Sequence, residues 1–370
     1  MKKLIPVTDL TLQNKALKAK IAKEILNLSK NCDFVLGQEV GLFEEDIAKY
    51  CGVKYAVGVA SGTDALVLSL LALGIGTGDE VITTPFTFIA TAEAIVRAGA
   101  KPVFCDIKPD TYNIDEDKIE ALINSKTKAI LPVHLYGLSC NMDKILSIAK
   151  KYNLKVAEDC AQSLGSRYNN NMTGSFGKIS ALSFFPSKNL GCFGDGGAVL
   201  TNDEELAKKV RLMRNHGSSD KYKYIMHGFN SRLDTIQAAI LRIKLENLDK
   251  WVKMRRKNAE LYIKLLNGVQ GVTLPMESEG YYSSYNYFTI RIKNNRTLLK
   301  DALKNEGVSS AIYYPLSLHL QDVFKNLGYS KGNLPNAEAA QEEVLSLPMY
   351  PELKTAQIKK IASVIRKALK

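Results

Sequence analysis

The sequence is poor in the features that mark several large classes of protein. No apolar run approaches the ~20 residues that a bilayer-spanning helix needs. The first ten residues, MKKLIPVTDL, carry two lysines with no long apolar segment behind them. Neither a membrane anchor nor a secretory signal is therefore expected, and the expected location is cytoplasmic. The six cysteines (Cys32, Cys51, Cys105, Cys140, Cys160 and Cys192) are scattered and form no C-x-x-C pair. They read as reduced core residues, not as a disulfide frame or a zinc site. The four histidines, His134, His216, His227 and His319, show no metal-ligand spacing. The sequence also has no internal repeat and no low-complexity tract. The net charge of +12 is spread over helical faces without interleaved aromatics, so a solvated basic surface is expected and nucleic acid is not. A weaker consequence is attraction of anionic small substrates.

What the sequence does have is an ordinary globular composition, with 46% hydrophobic and 24% charged residues in a chain of 370. That length suits about two domains. After an extended arm over 1–13 and helices over 17–27 and 41–51, apolar strands and helices alternate. Strands are expected at 55–60, 80–84, 102–105, 129–133 and 155–158, and helices at 65–73, 87–98, 116–123 and 142–152. This rhythm implies an α/β fold with a mostly parallel sheet covered by helices on both faces. Ligands of such sheets gather at the carboxyl ends of the strands. Those ends carry Ser61-Gly62-Thr63, Phe86-Thr87-Phe88, His134 to Gly137, and Glu158-Asp159. A helix from Asn202 to Arg214, a loop over 216–232 and one long helix from Thr235 to Leu266 follow. The remainder reads as α+β, with strands at 287–292 and 309–314 and helices at 297–306, 336–345 and 355–369. The expected division is a large domain over 1–250 and a small one over 251–370.

The stretch SALSFFPSKNLGCFGDGGAVLT, residues 180–201, stands apart. It delivers Lys188 between two short apolar strands. Lysine is strongly hydrated, and such a placement means either a solvent-facing hairpin turn or an amine that something uses. Asp159, ending an apolar strand, wants a cation or several donors. Ser61-Gly62-Thr63, where a strand enters a helix, is either a plain N-cap or an anion cradle. Pyridoxal phosphate requires a lysine, a carboxylate for its ring nitrogen and a cradle for its phosphate. The three elements together favour that cofactor over chance.

The sequence resembles the DegT family of nucleotide-sugar aminotransferases, which have the fold type I of aspartate aminotransferase. The resemblance rests on ASGTDAL (60–66), TPFTFIATAEAI (84–95), PVHLYG (132–137), EDCAQSLG (158–165), SFFPSKNLGCFGDGGA (183–198), RNHG (214–217) and GFNSRLDTIQAAIL (228–241). It implies that Lys188 is the Schiff-base lysine and Asp159 the partner of the ring nitrogen. It also implies that Gln162 approaches the phenolic oxygen, with Phe88 and Ala161 on the two ring faces. Gly62, Thr63 and Ser183 match phosphate-binding positions, and Asn230 a phosphate ligand donated by the neighbouring subunit of a homodimer. Arg232 is a candidate for an anionic part of substrate or cofactor, and Tyr313, Tyr314 and His319 for the nucleotide or sugar. Cys160 stands where relatives often have alanine.

The implied reaction moves an amino group from glutamate to a ketone of a nucleotide-linked sugar, in polysaccharide or glycan biosynthesis. The Gly194-Asp195-Gly196-Gly197 turn is similar to that of members acting at carbon 3, whereas carbon-4 enzymes more often carry glutamate at the position of Asp195. Expected substrates are a UDP-linked 2-acetamido-3-oxo sugar or a dTDP-linked 3-oxo-6-deoxyhexose; a 4-keto substrate is the alternative. A sugar dehydratase on the same fold has histidine in place of Lys188. A non-catalytic cofactor or sugar sensor would not need Lys188, Asp159 and Gln162 intact. A nicotinamide enzyme would need G-x-G-x-x-G spacing, which Ser61-Gly62-Thr63 lacks.

Overall fold

A computed structural model describes residues 4–369. The first three residues of the expected arm lie outside them. The arm runs along the C-terminal part of the chain, where Ile5 is buried and bridges Val308 in parallel. It is shorter than expected, because the first helix starts at Thr11 and runs to Asn31. Asp9 Oδ1 accepts from the Thr11 amide at 2.9 Å and from its hydroxyl at 2.7 Å, which satisfies a first-turn donor six residues ahead of the apolar pattern.

Seven strands form the central sheet. Their spatial order is Tyr55–Val59, Gly197–Thr201, Ile179–Ser183, Lys155–Asp159, Thr127–Leu131, Glu80–Thr83 and Lys101–Phe104. The strand Gly197–Thr201 is antiparallel to both of its neighbours, and the other pairings are parallel. Successive side chains of a strand point to opposite faces, and here both faces are apolar. Val57, Val59, Ala181 and Val199 pack with Leu66, Leu70, Val210 and Met213 on one face. On the other face, Ala56, Leu182, Ala198 and Leu200 meet Phe43, Ile47 and Leu241, while Ile82, Ile130 and Val156 meet Met142, Ile145 and Ile148. This is the expected mostly parallel α/β sheet with helices on both faces.

A second sheet pairs Val272–Thr273, Phe288–Ile292 and Val344–Leu347 antiparallel. The helices Leu248–Leu266, Arg296–Asn305 and Thr355–Ala368 cover it. The helix Leu248–Leu266 gives Leu248 and Val252 to the core under the large sheet, and Ala259, Tyr262 and Leu266 to the small one.

Four expected elements differ. The long helix over 235–266 is two, Thr235–Leu245 and Leu248–Leu266, parted at Glu246 and Asn247. The helix expected over 116–123 shrinks to a single tight turn, Glu120–Leu122. The strand expected over 309–314 keeps one bridge, Ala311 to Ser346. Val344–Leu347, whose first two residues were expected to end a helix, is a strand buried at every position. A strand buried on both faces shows no alternation, so its apolar run reads equally well as helix.

Candidate active site

The strand Lys155–Asp159 ends on Asp159, which is 4% exposed. Its Oδ2 accepts from the Thr91 hydroxyl at 2.8 Å and its Oδ1 from the Ala161 amide at 3.1 Å. No cation among the described residues forms an ion pair with it. Burial pushes its carboxyl above the usual carboxylate range, against the opposing pull of those two hydrogen bonds and of the charges on Lys188 and His134. A carboxylate desolvated this far and given only neutral donors is short of one positive charge.

Lys188 follows the adjacent strand Ile179–Ser183. No hydrogen bond or ion pair among the described residues engages its Nζ, and burial takes the amine down from 10.5 to about 8, with Asp159 pulling the other way. A hairpin lysine facing water would keep its ordinary value, whereas this side chain is half-buried and feels the Asp159 charge.

The cradle forms two strands further over. The helix Gly62–Ala72 starts directly after the strand Tyr55–Val59, capped by Ser61, whose Oγ accepts from the Asp64 amide at 3.1 Å. The amides of Gly62 and Thr63 have no partner further back along the helix. Ser183 closes against them, since a Cβ on Gly62 would stand 2.6 Å from the Ser183 Cβ and 2.9 Å from its Oγ. Ser231 joins from the loop after Gly228, donating its hydroxyl to Asp64 at 2.6 Å and accepting from the Ala60 amide at 3.3 Å. Gly62→Ala should therefore push Ser183 out of the cradle. The expected result is cofactor affinity roughly tenfold weaker, about the worth of one charge-assisted hydrogen bond, measured by titrating cofactor-free protein.

Gln162 is buried and held at both ends. Its Oε1 accepts from the Tyr136 amide at 2.8 Å, and its Nε2 donates to the Tyr314 hydroxyl at 3.0 Å, leaving one amide hydrogen free. Phe88 is 56% exposed, and its ring lies 6.3 Å from that of Tyr314. Ala161 contributes its amide to Asp159. Lys188, Asp159, Ala161, Gln162, Phe88 and Tyr314 thus gather at the strand ends, with Gly62, Thr63 and Ser183 beside them. This set fits pyridoxal phosphate, because it offers a free amine, a buried carboxylate lacking a cation and a helix start for an anion.

The remaining expected residues lie around this group: Tyr313 adjoins Tyr314, and Asn230 and Arg232 flank Ser231. Asn230 is exposed in the single chain and bridges Asn215 through its backbone. Arg232 donates from Nη1 to Asn215 Oδ1 at 2.8 Å. Tyr313 packs its ring 4.4 Å from that of Tyr287, and its carbonyl accepts from the Tyr136 hydroxyl. His319, the last of the expected substrate contacts, is enclosed. It is 1% exposed, its Nε2 bonds Glu338 Oε1 at 3.1 Å, and burial lowers its pKa. Glu338 occupies its Nε2, while its buried Nδ1 has no hydrogen-bond partner among the described residues.

Three contributors were given no role from the sequence: Thr91, Tyr136 and Ser231. Thr91 lies one helical turn after Thr87, and the two hydroxyls are 3.1 Å apart. That hydroxyl pair at the start of the helix Ala90–Arg97 was the available signal. His134, Glu158 and Cys160 also lie within 4.8 Å of one another. Hydrogen bonds already use them: Glu158 accepts from the amides of Gly174, Phe176 and Gly177, His134 Nε2 faces Glu158 Oε2 at 2.9 Å, and His134 Nδ1 accepts from the Cys140 amide. Burial holds the Cys160 thiol neutral. The cluster is a brace under the aspartate strand and not a metal site.

Similarity to known proteins agrees with this geometry. The pattern of the DegT/DnrJ/EryC1/StrS aminotransferase family matches residues 15–366. A "pleiotropic regulatory protein" of Geobacillus stearothermophilus is 49% identical over 98% of this chain and 99% of its own. A UDP-N-acetyl-3-dehydro-alpha-D-glucosamine 3-aminotransferase of Acidithiobacillus ferrooxidans is 47% identical over 99% and 98%. The crystal structure of S. venezuelae DesV, solved with a ketimine intermediate, superposes with a TM-score of 0.97 at 39% identity, covering 100% of this chain and 99% of that one. The chain belongs to the DegT/DnrJ/EryC1/StrS aminotransferase family, whose cofactor is pyridoxal phosphate.

Proposed function

We propose that this aminotransferase moves an amino group from glutamate to the 3-keto carbon of a UDP-linked 2-acetamido-3-oxo sugar. The observation that carries the catalytic part is Lys188, half-buried beside Asp159, its amine unbonded among the described residues and lowered to about 8. At pH 7 about a tenth of such amines are free, against about three in ten thousand at the ordinary value of 10.5. The UDP-acetamido substrate is supported by the Acidithiobacillus relative's activity, and amination at carbon 3 by the turn around Asp195. The regulatory name of the Geobacillus relative raises a sensor as the other reading, but a sensor has no use for a free amine at neutral pH.

Bound pyridoxal phosphate supplies the electron sink that lets the donor's Cα give up a proton. The chain's residues do the rest. The helix start at Gly62 and Thr63, with Ser183, takes the phosphate and fixes the orientation. Asp159 supplies the negative charge that keeps a proton on the ring nitrogen, and a cation there offsets the burial that raises its pKa. Thr91 and the Ala161 amide aim that carboxylate. Free Lys188 carries the proton between the donor's Cα and the cofactor's C4′. Gln162, fixed by Tyr136 and Tyr314, turns its remaining amide hydrogen to the phenolic oxygen. In this reading residues 1–250 hold the cofactor, and 251–370 bring Tyr313 and Tyr314 over it.

The assembly proposed is a homodimer. Asn230, exposed in one chain, donates to the partner's cofactor phosphate, and exposed Phe34, Val35, Leu36 and Phe193 lie against or near the start of the helix Thr235–Leu245. Arg232, held by Asn215 beside Asn230, faces the anionic part of the substrate. Arg232→Leu should then cost a UDP-linked uronate on the order of a hundredfold in kcat/KM, about 3 kcal/mol for a charge-assisted contact. A 6-deoxy substrate should lose less than about threefold; equal losses exclude the role.

A further inference from the structure

The reaction leaves one deeply buried lysine unused. Lys244, on the helix Thr235–Leu245, is 1% exposed. Its Nζ donates to the Gly191 carbonyl and lies 5.5 Å from the centre of the Phe193 ring. No carboxylate among the described residues pairs with it, and burial lowers it to about 8. An ammonium placed this deep without a counter-ion costs stability that an apolar residue would not.

Its partners belong to the turn that carries Lys188. The turn leaves the strand Ile179–Ser183 and closes tightly: a Cβ on Gly191 would stand 2.4 Å from the Pro186 carbonyl oxygen. The Lys188 amide bonds the Phe185 carbonyl at 2.9 Å inside it. Gln237 holds the same turn from the same helix face, one heptad before Lys244, which is about two helical turns. Its Oε1 accepts from the Phe193 amide at 2.8 Å, and its Nε2 donates to the Phe193 carbonyl at 3.2 Å. On the opposite side Asn189 Nδ2 donates to the Leu164 carbonyl at 3.1 Å.

We propose that Gln237 and Lys244 are positioning residues for Lys188: they clamp its turn onto the helix Thr235–Leu245 and so keep the reactive amine out of water. The inference rests on Lys188 being that amine. A loosened turn admits water, and the Lys188 amine then climbs back toward its ordinary value, because desolvation is what lowers it.

The test uses cofactor-free, full-length protein as wild type, Lys244→Met and Gln237→Ala. Each is labelled with trace acetic anhydride from roughly pH 6 to 11, and the adduct at Lys188 is quantified by mass spectrometry. Wild type should titrate near 8. Each variant should move upward by about one pH unit, a tenfold loss of free amine at pH 7. The reconstituted variants should lose about tenfold in kcat, with donor KM changed less than about twofold. Folded variants that keep the wild-type midpoint overturn the clamp. If Lys244→Met fails to fold, Gln237→Ala, whose side chain is only half-buried, decides the matter alone. A wild-type Lys188 that titrates at its ordinary value overturns the assignment of the reactive amine itself, and the clamp with it.

Discussion

Lys188→Ala should give a folded protein whose turnover is lost by at least about 10⁴-fold, the upper range for removing a proton-transfer group. The same protein should lose the visible absorption of lysine-linked cofactor. Two features make this the largest expected effect. In the proposed reading the amine is at once the covalent anchor and the proton carrier, and no other free lysine among the described residues shares the site: Lys244 is tied to Gly191. Pyridoxal phosphate should still bind through the helix start at Gly62 and through Asp159, but dialysis should remove it. Stability distinguishes this loss from misfolding. In the folded state the Lys188 amine titrates near 8 rather than 10.5. Between those values the unfolded chain binds more protons than the native one, so wild-type cofactor-free protein gains stability as pH rises through that window, and below it the buried charge is a burden. Removing the lysine relieves the burden. The variant's thermal midpoint at pH 7 should equal or exceed that of wild type, and it should rise less between pH 8 and 10.5. A variant that turns over, or whose midpoint falls sharply, contradicts the assignment.

Asp159→Asn should follow, with kcat down on the order of 10²–10³-fold. Withdrawing one partner of a buried charge pair costs about 3–5 kcal/mol. The shape survives the change, because Asn is isosteric and Thr91 can still bond it, so donor KM and folding should move little. The variant's free form should even be relieved of the desolvated charge that raises the Asp159 pKa. A kcat within tenfold of wild type means that the carboxylate does not hold a ring proton, and the brace from His134 and Glu158 beneath that strand is then purely structural.

The sequence was most readable where chemistry conflicts with burial. An ionisable residue at the end of an apolar strand has few explanations, and Lys188 and Asp159 both stand there. The sheet covered on both faces followed from the same apolar runs, because alternate residues of the strands at 55–59 and 179–183 feed opposite cores. Local pattern failed where a neighbour distant in sequence decides. His319 has a residue type that suggests binding, and only the fold shows that Glu338 seals it. Lys244, a lysine in a helix, reads as a solvated face until the Lys188 turn is laid over it. Thr91 is one threonine among several in its segment, and its bond to Asp159 spans 68 positions. Tyr136 works through its backbone amide on Gln162, a contribution that no side-chain pattern encodes.

The most direct measurement is the visible spectrum of the purified holoenzyme through two additions, glutamate and then a UDP-linked 2-acetamido-3-oxo sugar. The expected result is a yellow protein that glutamate bleaches and the keto sugar restores, with a 3-amino sugar formed in equal amount. Colour that ignores glutamate, or a bleached protein that the 3-oxo sugar leaves unchanged while a 4-oxo sugar restores it, contradicts amination at carbon 3.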